Sequence, residues 1–288
     1  MQELTHAYIR GLLPRRDPEG HKGTFGRVLG VCGSVGYTGA PVFAARAAVR
    51  TGSGLVFLAV PAAVWPVVAV KTDEAMAFPL PEREGRLALA AEDAIRSRAQ
   101  GCDALLIGCG LGRGEETDAL SRRLLTVPRP LVLDADGINA LQGHIDALTC
   151  RRDLPTVLTP HEGEFARIGE LASGREKAAA SFAADRGVTL VLKGHRTLIA
   201  APDGRLAVNP TGNCGMAKGG SGDVLSGMIL SLLGMGLDAF SAACCGVYLH
   251  GLAGDIAARE LTEYAMTPTD MVERIPCAYK EILQADLG

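Results

Sequence analysis

Short apolar runs alternate with longer alanine-rich segments along most of the chain, and this alternation predicts an α/β fold. Uninterrupted apolar runs of this kind are typical of strands that are buried on both faces of a sheet. The predicted strands are Val28–Cys32, Leu55–Val60, Ala104–Ile107, Leu131–Leu133, Thr156–Leu158, Thr189–Leu192, Thr197–Ala201 and Leu206–Val208. The predicted helices are Pro41–Arg50, Ala62–Val70, Ala91–Ala99, Glu116–Leu125, Gly163–Gly169, Arg175–Arg186, Val224–Leu233 and Phe240–Arg259.

This order of elements predicts a mostly parallel sheet with helices on both faces, with ligands bound at the carboxyl ends of the strands. The short turn Lys193–Arg196 would join two strands as an antiparallel hairpin, which continues after the Asp203–Gly204 turn. Neither a low-complexity linker nor an internal repeat divides the sequence. We therefore predict one domain over residues 1–288.

Two uncharged stretches in the C-terminal third, Val224–Leu237 and Ala239–Gly254, have the apolar character of membrane segments but not their length. We interpret both as core helices and expect no membrane association. Their apolar surfaces would also permit a sizeable interface between subunits.

Composition narrows the class of protein further. A net charge of −3 and few aromatic residues argue against a nucleic-acid surface. The first 16 residues mix charged and apolar side chains without the apolar core of a secretory signal. Several of the eight cysteines lie in apolar or glycine-rich runs and none forms a CxxC pair, which indicates free thiols in a reducing cytoplasm.

A glycine-rich loop before the apolar run at Val224 carries the strongest chemical signal. Gly219, Gly220 and Gly222 would place bare backbone N–H groups at the N-terminus of a helix, where the helix dipole favours an anion. Asp223 falls in the first turn of that helix, where we expect its carboxylate to be ionised. A phosphate cradle beside a carboxylate suits phosphoryl transfer from a nucleotide to a hydroxyl. The alternative is that Ser221 or Asp223 only caps the helix.

Other polar or glycine-rich clusters also follow predicted strands. Gly33–Pro41 and Gly108–Gly112 are turns that would admit a ligand close to the backbone, although neither has the spacing of a dinucleotide or P-loop motif. Asp134 and Asp136 end another strand, either as magnesium or water ligands or as turn and cap groups, and for Asp136 we favour the cap. His161 is the histidine best placed to contact a ligand. Zinc-site spacings are absent from the sequence.

Taken together, four motifs resemble the ADP-dependent NAD(P)H-hydrate dehydratase family of the ribokinase-like superfamily. They read His-Lys-Gly-Thr-Phe-Gly from His21, Thr-Pro-His-Glu-Gly-Glu from Thr159, Lys-Gly-His-Arg-Thr from Lys193, and Asn-Cys-Gly-Met-Ala-Lys-Gly-Gly-Ser-Gly-Asp from Asn213. The similarity covers roughly residues 22–283. One departure is Cys109, where the family pattern leads us to expect proline.

The resemblance implies a ribokinase-like three-layer sandwich that uses ADP, or ATP in some lineages, to dehydrate the S epimer of hydrated NADH or NADPH. It implies a tetramer that works with an NAD(P)H-hydrate epimerase, and we expect that epimerase to be a separate protein. By position, the family's contacts to the hydrated nicotinamide correspond to Ala40, Gly110, His161 and Asp223. Its nucleotide contacts correspond to Lys193, Gly194, His195, Arg196, Thr197 and Gly222, to which the glycine loop adds Gly219, Gly220 and Ser221.

These inferences lead to a chemical hypothesis with two rivals. Asp223 acts as the general base for a substrate hydroxyl that attacks the terminal phosphorus of ADP, and Mg²⁺ bridges the phosphates. The first rival is a small-molecule kinase of the same superfamily, acting on a thiazole or pyrimidine alcohol or a sugar, which would need the same aspartate and glycines. The second is a non-catalytic nucleotide sensor, which would need no base.

Overall fold

A computed structural model describes residues 1–284, in which twelve strands and eleven α-helices are assigned. The strands are β1 (Gln2–Glu3), β2 (Arg27–Val31), β3 (Leu55–Pro61), β4 (Ala75–Leu80), β5 (Glu82–Arg83), β6 (Arg86–Leu87), β7 (Ala104–Ile107), β8 (Leu131–Leu133), β9 (Thr156–Leu158), β10 (Thr189–Leu192), β11 (Leu198–Ala200) and β12 (Leu206–Val208). The helices are α1 (His6–Leu12), α2 (Gly39–Thr51), α3 (Trp65–Lys71), α4 (Glu92–Gln100), α5 (Glu115–Leu124), α6 (Ala135–Asn139), α7 (Glu162–Phe165), α8 (Arg175–Arg186), α9 (Ser221–Gly234), α10 (Ala239–Ala265) and α11 (Pro268–Gln284).

Ten of these strands form one sheet in the order β1-β12-β11-β10-β9-β8-β7-β2-β3-β4. From β10 through to β4 all neighbours are parallel, whereas β11 is antiparallel to both β10 and β12. The predicted parallel sheet and its antiparallel hairpin are both confirmed. Because the parallel strands run in one direction, their carboxyl ends meet along a single edge.

Successive strand residues point to opposite faces, and each face is covered by its own helices. Val28 and Leu106 pack with α2, α9 and α10 on one face, while Leu29 and Leu105 pack with α4, α5 and α8 on the other. The result is the predicted three-layer sandwich. Within residues 1–284 no helix is both long enough and apolar enough to cross a membrane.

The suggestion that the two apolar stretches of the C-terminal third could form a subunit interface is wrong. Every residue of α9 from Val224 to Gly234 is buried, as is most of α10 up to Ala257, because these helices pack against the sheet and against α2. The apolar side chains of these two stretches are therefore buried by contacts within the subunit.

Several elements differ from, or were missing from, the sequence-based prediction, and four of them are informative. The third helix begins at Trp65 rather than at Ala62, and α10 continues past Arg259. Edge strand β4 contains Pro79, and α11 contains Pro276 in its interior. Proline breaks the usual sequence pattern of both structures. An edge strand tolerates it, whereas in the interior of α11 Pro276 removes one backbone hydrogen-bond donor of the helix.

Candidate active site

Four side chains from neighbouring strands meet at the carboxyl edge of the sheet. Lys193, Thr159 and Asp134 directly follow β10, β9 and β8, and Cys109 follows β7 after one glycine. The N-terminus of α9 faces them across a cleft of about 1020 Å³. The order of the strands thus places side chains side by side that are far apart in the sequence.

The glycine-rich loop forms the wall of this cleft and leaves its amides free. Gly220 is the N-cap of α9 with a φ of 104°, and no side chain caps the helix. The alternative, that Ser221 or Asp223 only caps the helix, is therefore wrong. Among the described residues, the backbone N–H groups of Gly219, Gly220, Gly222 and Asp223 have no acceptor. Unpaired amides at a helix N-terminus make a site for an anion.

Asp134 is the centre of a buried polar network. Lys193 Nζ lies 3.0 Å from Asp134 Oδ1, Ser226 Oγ donates to Oδ2 at 2.8 Å, and Cys109 Sγ donates to Oδ2 at 3.7 Å. Burial alone would raise the pKa of Asp134, but the attraction and hydrogen bonds of Lys193 and the bond from Ser226 lower it below its usual value. Burial likewise opposes the charge of Lys193, yet Asp134 and Glu164 raise its pKa. The pair is a buried ion pair at neutral pH.

Asp223 lies beside this pair in a less favourable position. The Sγ atom of Cys109 and one carboxylate oxygen each of Asp134 and Asp223 all lie within 4.8 Å of one another. Burial, followed by the charge of Asp134, raises the pKa of Asp223 to about 7, although Cys109 and Lys193 act in the opposite direction. The expectation of a fully ionised carboxylate is therefore wrong. The helix dipole favours the charge, but burial next to a second carboxylate outweighs it.

His161 and Glu164 tie the first turn of α7 to Lys193. His161 Nδ1 accepts hydrogen bonds from the amides of Gly163 and Glu164 at 3.0 and 3.2 Å, and Glu164 Oε2 accepts from the amide of His161 at 2.9 Å. Histidine thus takes the place of serine or threonine in a capping box. Glu164 Oε2 also lies 3.7 Å from Lys193 Nζ. His161 lines the cleft and pairs with Lys193 through an isolated parallel bridge.

The hairpin from Lys193 to Thr197 lines the same cleft, but its members point to different places. Lys193 points inward to Asp134, as described above. Thr197 Oγ1 donates to the carbonyl of Gly194 at 3.0 Å, which closes the turn. Arg196 lies at the rim, with Nη2 2.5 Å from Glu3 Oε2, and His195 accepts a hydrogen bond on its carbonyl from Arg175.

Ala40 and Gly110 are not among the residues that line this cleft. They contact each other, because a Cβ on Gly110 would lie 2.8 Å from that of Ala40. Gly110 directly follows Cys109, whose thiol is close to Asp223. Of the four predicted substrate contacts, His161 therefore lies in the same cleft as the hairpin Lys193–Thr197. Ala40 and Gly110 lie together outside that cleft, next to Cys109.

Sequence reasoning misjudged Asp136 and missed several polar side chains. Asp136 lies within α6 and accepts hydrogen bonds from Gly112 N at 2.9 Å and Asn139 Nδ2 at 3.3 Å, so it is not the cap of that helix. Ser226 was not singled out, because a serine in an apolar helix carries no signal of its own. His250 was missed for the same reason: it lies 8 % exposed in α10, with Nε2 3.0 Å from the carbonyl of Ser221, and burial lowers its pKa to about 4.

A family model described as NAD(P)H-hydrate dehydratase matches residues 28–277. The chain belongs to the NAD(P)H-hydrate dehydratase family. A bifunctional NAD(P)H-hydrate repair enzyme of Moorella thermoacetica is 46% identical over 286 residues, which are 97% of this chain and 54% of that protein. The chain thus spans about half the length of this curated relative.

Two solved structures extend the comparison to the fold. The ADP/ATP-dependent NAD(P)H-hydrate dehydratase of Bacillus subtilis, co-crystallised with ATP and Mg²⁺, is 33% identical with a TM-score of 0.80, and 98% of each chain is covered. A ribokinase-like superfamily protein of Enterococcus faecalis is 26% identical with a TM-score of 0.85, covering 98% of this chain and 96% of the other. The predicted membership of the NAD(P)H-hydrate dehydratase family and the ribokinase-like fold are both confirmed.

Proposed function

We propose that this protein is an ADP-dependent dehydratase that converts the S epimer of hydrated NADH or NADPH back to the reduced cofactor. The observation that carries the proposal is that free amides at Gly219, Gly220 and Gly222 stand beside the partly buried carboxyl of Asp223. Its resemblance to the Bacillus subtilis dehydratase supports the same activity. The free cysteines of the described chain fit a cytoplasmic location, in which an epimerase activity would supply the S epimer.

The proposed chemistry solves the problem that hydroxide is a poor leaving group. Asp223, once ionised, takes the proton of the substrate hydroxyl while the hydroxyl oxygen attacks the terminal phosphorus of ADP and AMP leaves. The amides of the glycine loop stabilise the charge on the phosphoryl group in transit. Phosphate then leaves with the bonding electrons as the ring nitrogen donates its lone pair. Loss of a proton from the neighbouring ring carbon restores the dihydronicotinamide.

The side chains around Asp223 fit a magnesium ion carried in with the nucleotide. Mg²⁺ prefers carboxylate and phosphate oxygens and keeps several waters, so one or two protein carboxylates suffice. Asp134 is ionised and a Cβ on Gly222 would lie 3.9 Å from its Oδ2, which places a carboxylate next to the free amides. Asp134 and Asp223 would be the protein groups nearest the ion. When bound, Mg²⁺ would neutralise charge on the phosphates.

The proposed nucleotide contacts are Lys193 to Thr197 and the glycine loop, and the proposed substrate contacts are Ala40, Gly110, His161 and Asp223. Lys193 supports the phosphate end of this assignment, because its ammonium lies 3.4 Å from where a Cβ on Gly222 would be. Arg196 at the rim supports the nucleoside end. The residues themselves do not favour ADP over ATP.

The test is to incubate the protein with ADP, Mg²⁺ and acid-hydrated NADH and to follow the absorbance of the reduced nicotinamide together with release of AMP and phosphate. Asp223→Asn keeps the size of the side chain but cannot take the proton, so we expect kcat to fall about 10²–10⁴-fold with ADP still bound. Asp238→Asn alters the carboxylate that caps the N-terminus of α10, outside the cleft, and should leave kcat unchanged. A stable phosphorylated product would instead indicate a kinase, and near-normal turnover by Asp223→Asn would remove Asp223 as the base.

A further inference from the structure

The loop between β12 and α9 is held against one side of α10 along most of its length. Asn209 Nδ2 donates to the carbonyl of Val247 at 3.5 Å, and Thr211 Oγ1 donates to that of Tyr248 at 2.9 Å. Further along, the ammonium of Lys218 donates to the carbonyl of Tyr264 at 2.8 Å. A loop that lines a ligand cleft is thus fixed by a helix that lies behind it.

The side of α10 that faces this loop is shaped for close approach. Residues 247 and 248, 251, and 254 and 255 recur at three- or four-residue intervals, so they lie on one face of the helix. A Cβ on Gly251 would lie 2.2 Å from Thr211 Oγ1, and one on Gly254 would lie 2.5 Å from Met216 Sδ. A larger residue at 251 would therefore displace the loop backbone, and one at 254 would displace the side chain of Met216.

Asp255 is the one charged side chain on this face, and both of its carboxylate oxygens bind the loop. Oδ2 accepts from the amide of Gly212 at 2.9 Å, and Oδ1 accepts from Asn213 Nδ2 at 2.9 Å. Asn213 in turn accepts on Oδ1 from the amide of Gly215 at 3.0 Å, so the constraint extends two residues further. Within residues 1–284 Asp255 forms no ion pair with Lys, Arg or His. Its hydrogen-bonding capacity is directed at this turn.

The turn that Asp255 holds lies at the nucleotide end of the cleft rather than at Asp223. The amide of Asn209 donates to the carbonyl of Thr197 at 2.9 Å, which joins the loop to the hairpin assigned to the nucleotide. Gly212 and Asn213 both line the cleft. The other end of the loop, at Ser221, is fixed separately by His250.

We propose that Asp255 is a positioning residue that holds the Gly212–Asn213 turn in the shape that binds the nucleotide. It acts through this turn and touches neither substrate nor the reacting atoms. The proposal rests on the nucleotide use set out under the proposed function. It requires that loss of Asp255 weaken the binding of ADP while the chemical step at Asp223 continues once ADP is bound.

Asp255→Asn is the sharpest perturbation, because an amide keeps the shape but offers one acceptor where two donors approach. We expect the Kd of ADP, measured by calorimetry without substrate, and the KM for ADP to rise about 10- to 100-fold. That range follows from the loss of one hydrogen bond to a charged group. At saturating ADP, kcat should stay within about threefold of the wild-type value.

Asp238→Asn is the matched control, since Asp238 also accepts two hydrogen bonds, from the amides of Phe240 and Ser241, but at the other end of α10. It should lower thermal stability and leave the Kd of ADP unchanged. Asn213→Ala removes the bond to Asp255 from the loop side, together with the bond that Asn213 accepts from Gly215, without altering α10. It should weaken ADP binding even if Asp255→Asn fails to fold, and its effect should not add to that of Asp255→Asn.

The outcomes separate this inference from the proposed function. Wild-type protein that binds no ADP would overturn both. Wild-type protein that binds and consumes ADP, with an unchanged Kd in Asp255→Asn and in Asn213→Ala, would overturn the role of Asp255 alone. A collapse of kcat at saturating ADP with an unchanged KM would also overturn it, because Asp255 would then act on the chemical step.

Discussion

Replacing Asp223 by asparagine should make the protein more stable at neutral pH even as it removes the base. The folded protein holds the pKa of Asp223 at about 7, against an ordinary value of 3.8 for aspartate. Between these two values the folded state binds more protons than the unfolded state. The wild-type protein therefore loses stability as the pH rises from about 4 to about 7, and the variant lacks this loss.

The magnitude follows from the two pKa values. At about 1.4 kcal/mol per pKa unit, the raised pKa of Asp223 lowers the free energy of unfolding, relative to its value at low pH, by about 4 kcal/mol at pH 8 and about 2 kcal/mol at pH 5. Relaxation of the site reduces these values, so they are upper bounds. In a chain of this size each kcal/mol corresponds to about 2–4 °C in Tm. The gain in Tm of Asp223→Asn should accordingly grow by several degrees between pH 5 and pH 8.

Thermal unfolding of both proteins without nucleotide, at pH 5, 6, 7 and 8, would measure this difference. Asp238→Asn gives the opposite sign, because hydrogen bonds from Ser241 and Phe240 lower the pKa of Asp238 despite its partial burial. The stability that Asp238 provides is present above its unfolded pKa and is lost as the pH falls through its folded pKa. A Tm difference for Asp223→Asn that is constant with pH would show that the carboxyl is ionised throughout and would refute the reasoning.

Three further substitutions test other parts of the site. Lys193→Met removes the cation that lowers the pKa of Asp223, so the acidic limb of the kcat–pH profile should move to higher pH, and the unpaired Asp134 should cost about 3–5 kcal/mol of stability in chemical denaturation. Arg151→Met leaves the carbonyls of Leu125 and Arg129 without their donor and removes one of the two donors to the carbonyl of Val127. It should lower the free energy of unfolding by roughly 3 kcal/mol or more, while KM for ADP in steady-state assays is unchanged. Arg196→Ala should raise KM for ADP and leave kcat nearly unchanged, and a collapse of kcat at saturating ADP would place Arg196 at the transferred phosphate instead.

The parallel strands of the core and the glycine loop were predictable, because their signals are local. Leu131–Leu133 and Thr189–Leu192 are apolar runs that only a doubly covered sheet explains, and the structure has both with the predicted bounds. Strand β4 was not predictable in this way. Its residues lie at a sheet edge, range from exposed Met76 to buried Leu80 without regular alternation, and include a proline, so the strand has no recognisable period.

The electrostatics of the site could not be predicted, because they depend on contacts between distant segments. The pKa of Asp223 is set by burial and by Asp134, which belongs to a different strand–helix unit. The partners of Asp255 are likewise on the loop after β12. By contrast, the pairing of His161 with Glu164 has a local signature, a capping box at the usual three-residue spacing, which is hidden only because histidine is an unusual first member.

The thiol of Cys109 has a consequence for how the protein withstands oxidants and electrophiles. A hydrogen bond with Cys32 and burial raise the pKa of Cys109 well above its usual value, and its side chain is fully enclosed. Only the thiolate form of cysteine reacts readily, so this sulfur is chemically quiet although it lies next to the base. Cys150, Cys214 and Cys277 are exposed and meet such reagents first. Cys109 therefore provides a hydrogen-bond donor beside Asp223 and is itself protected from oxidation and alkylation.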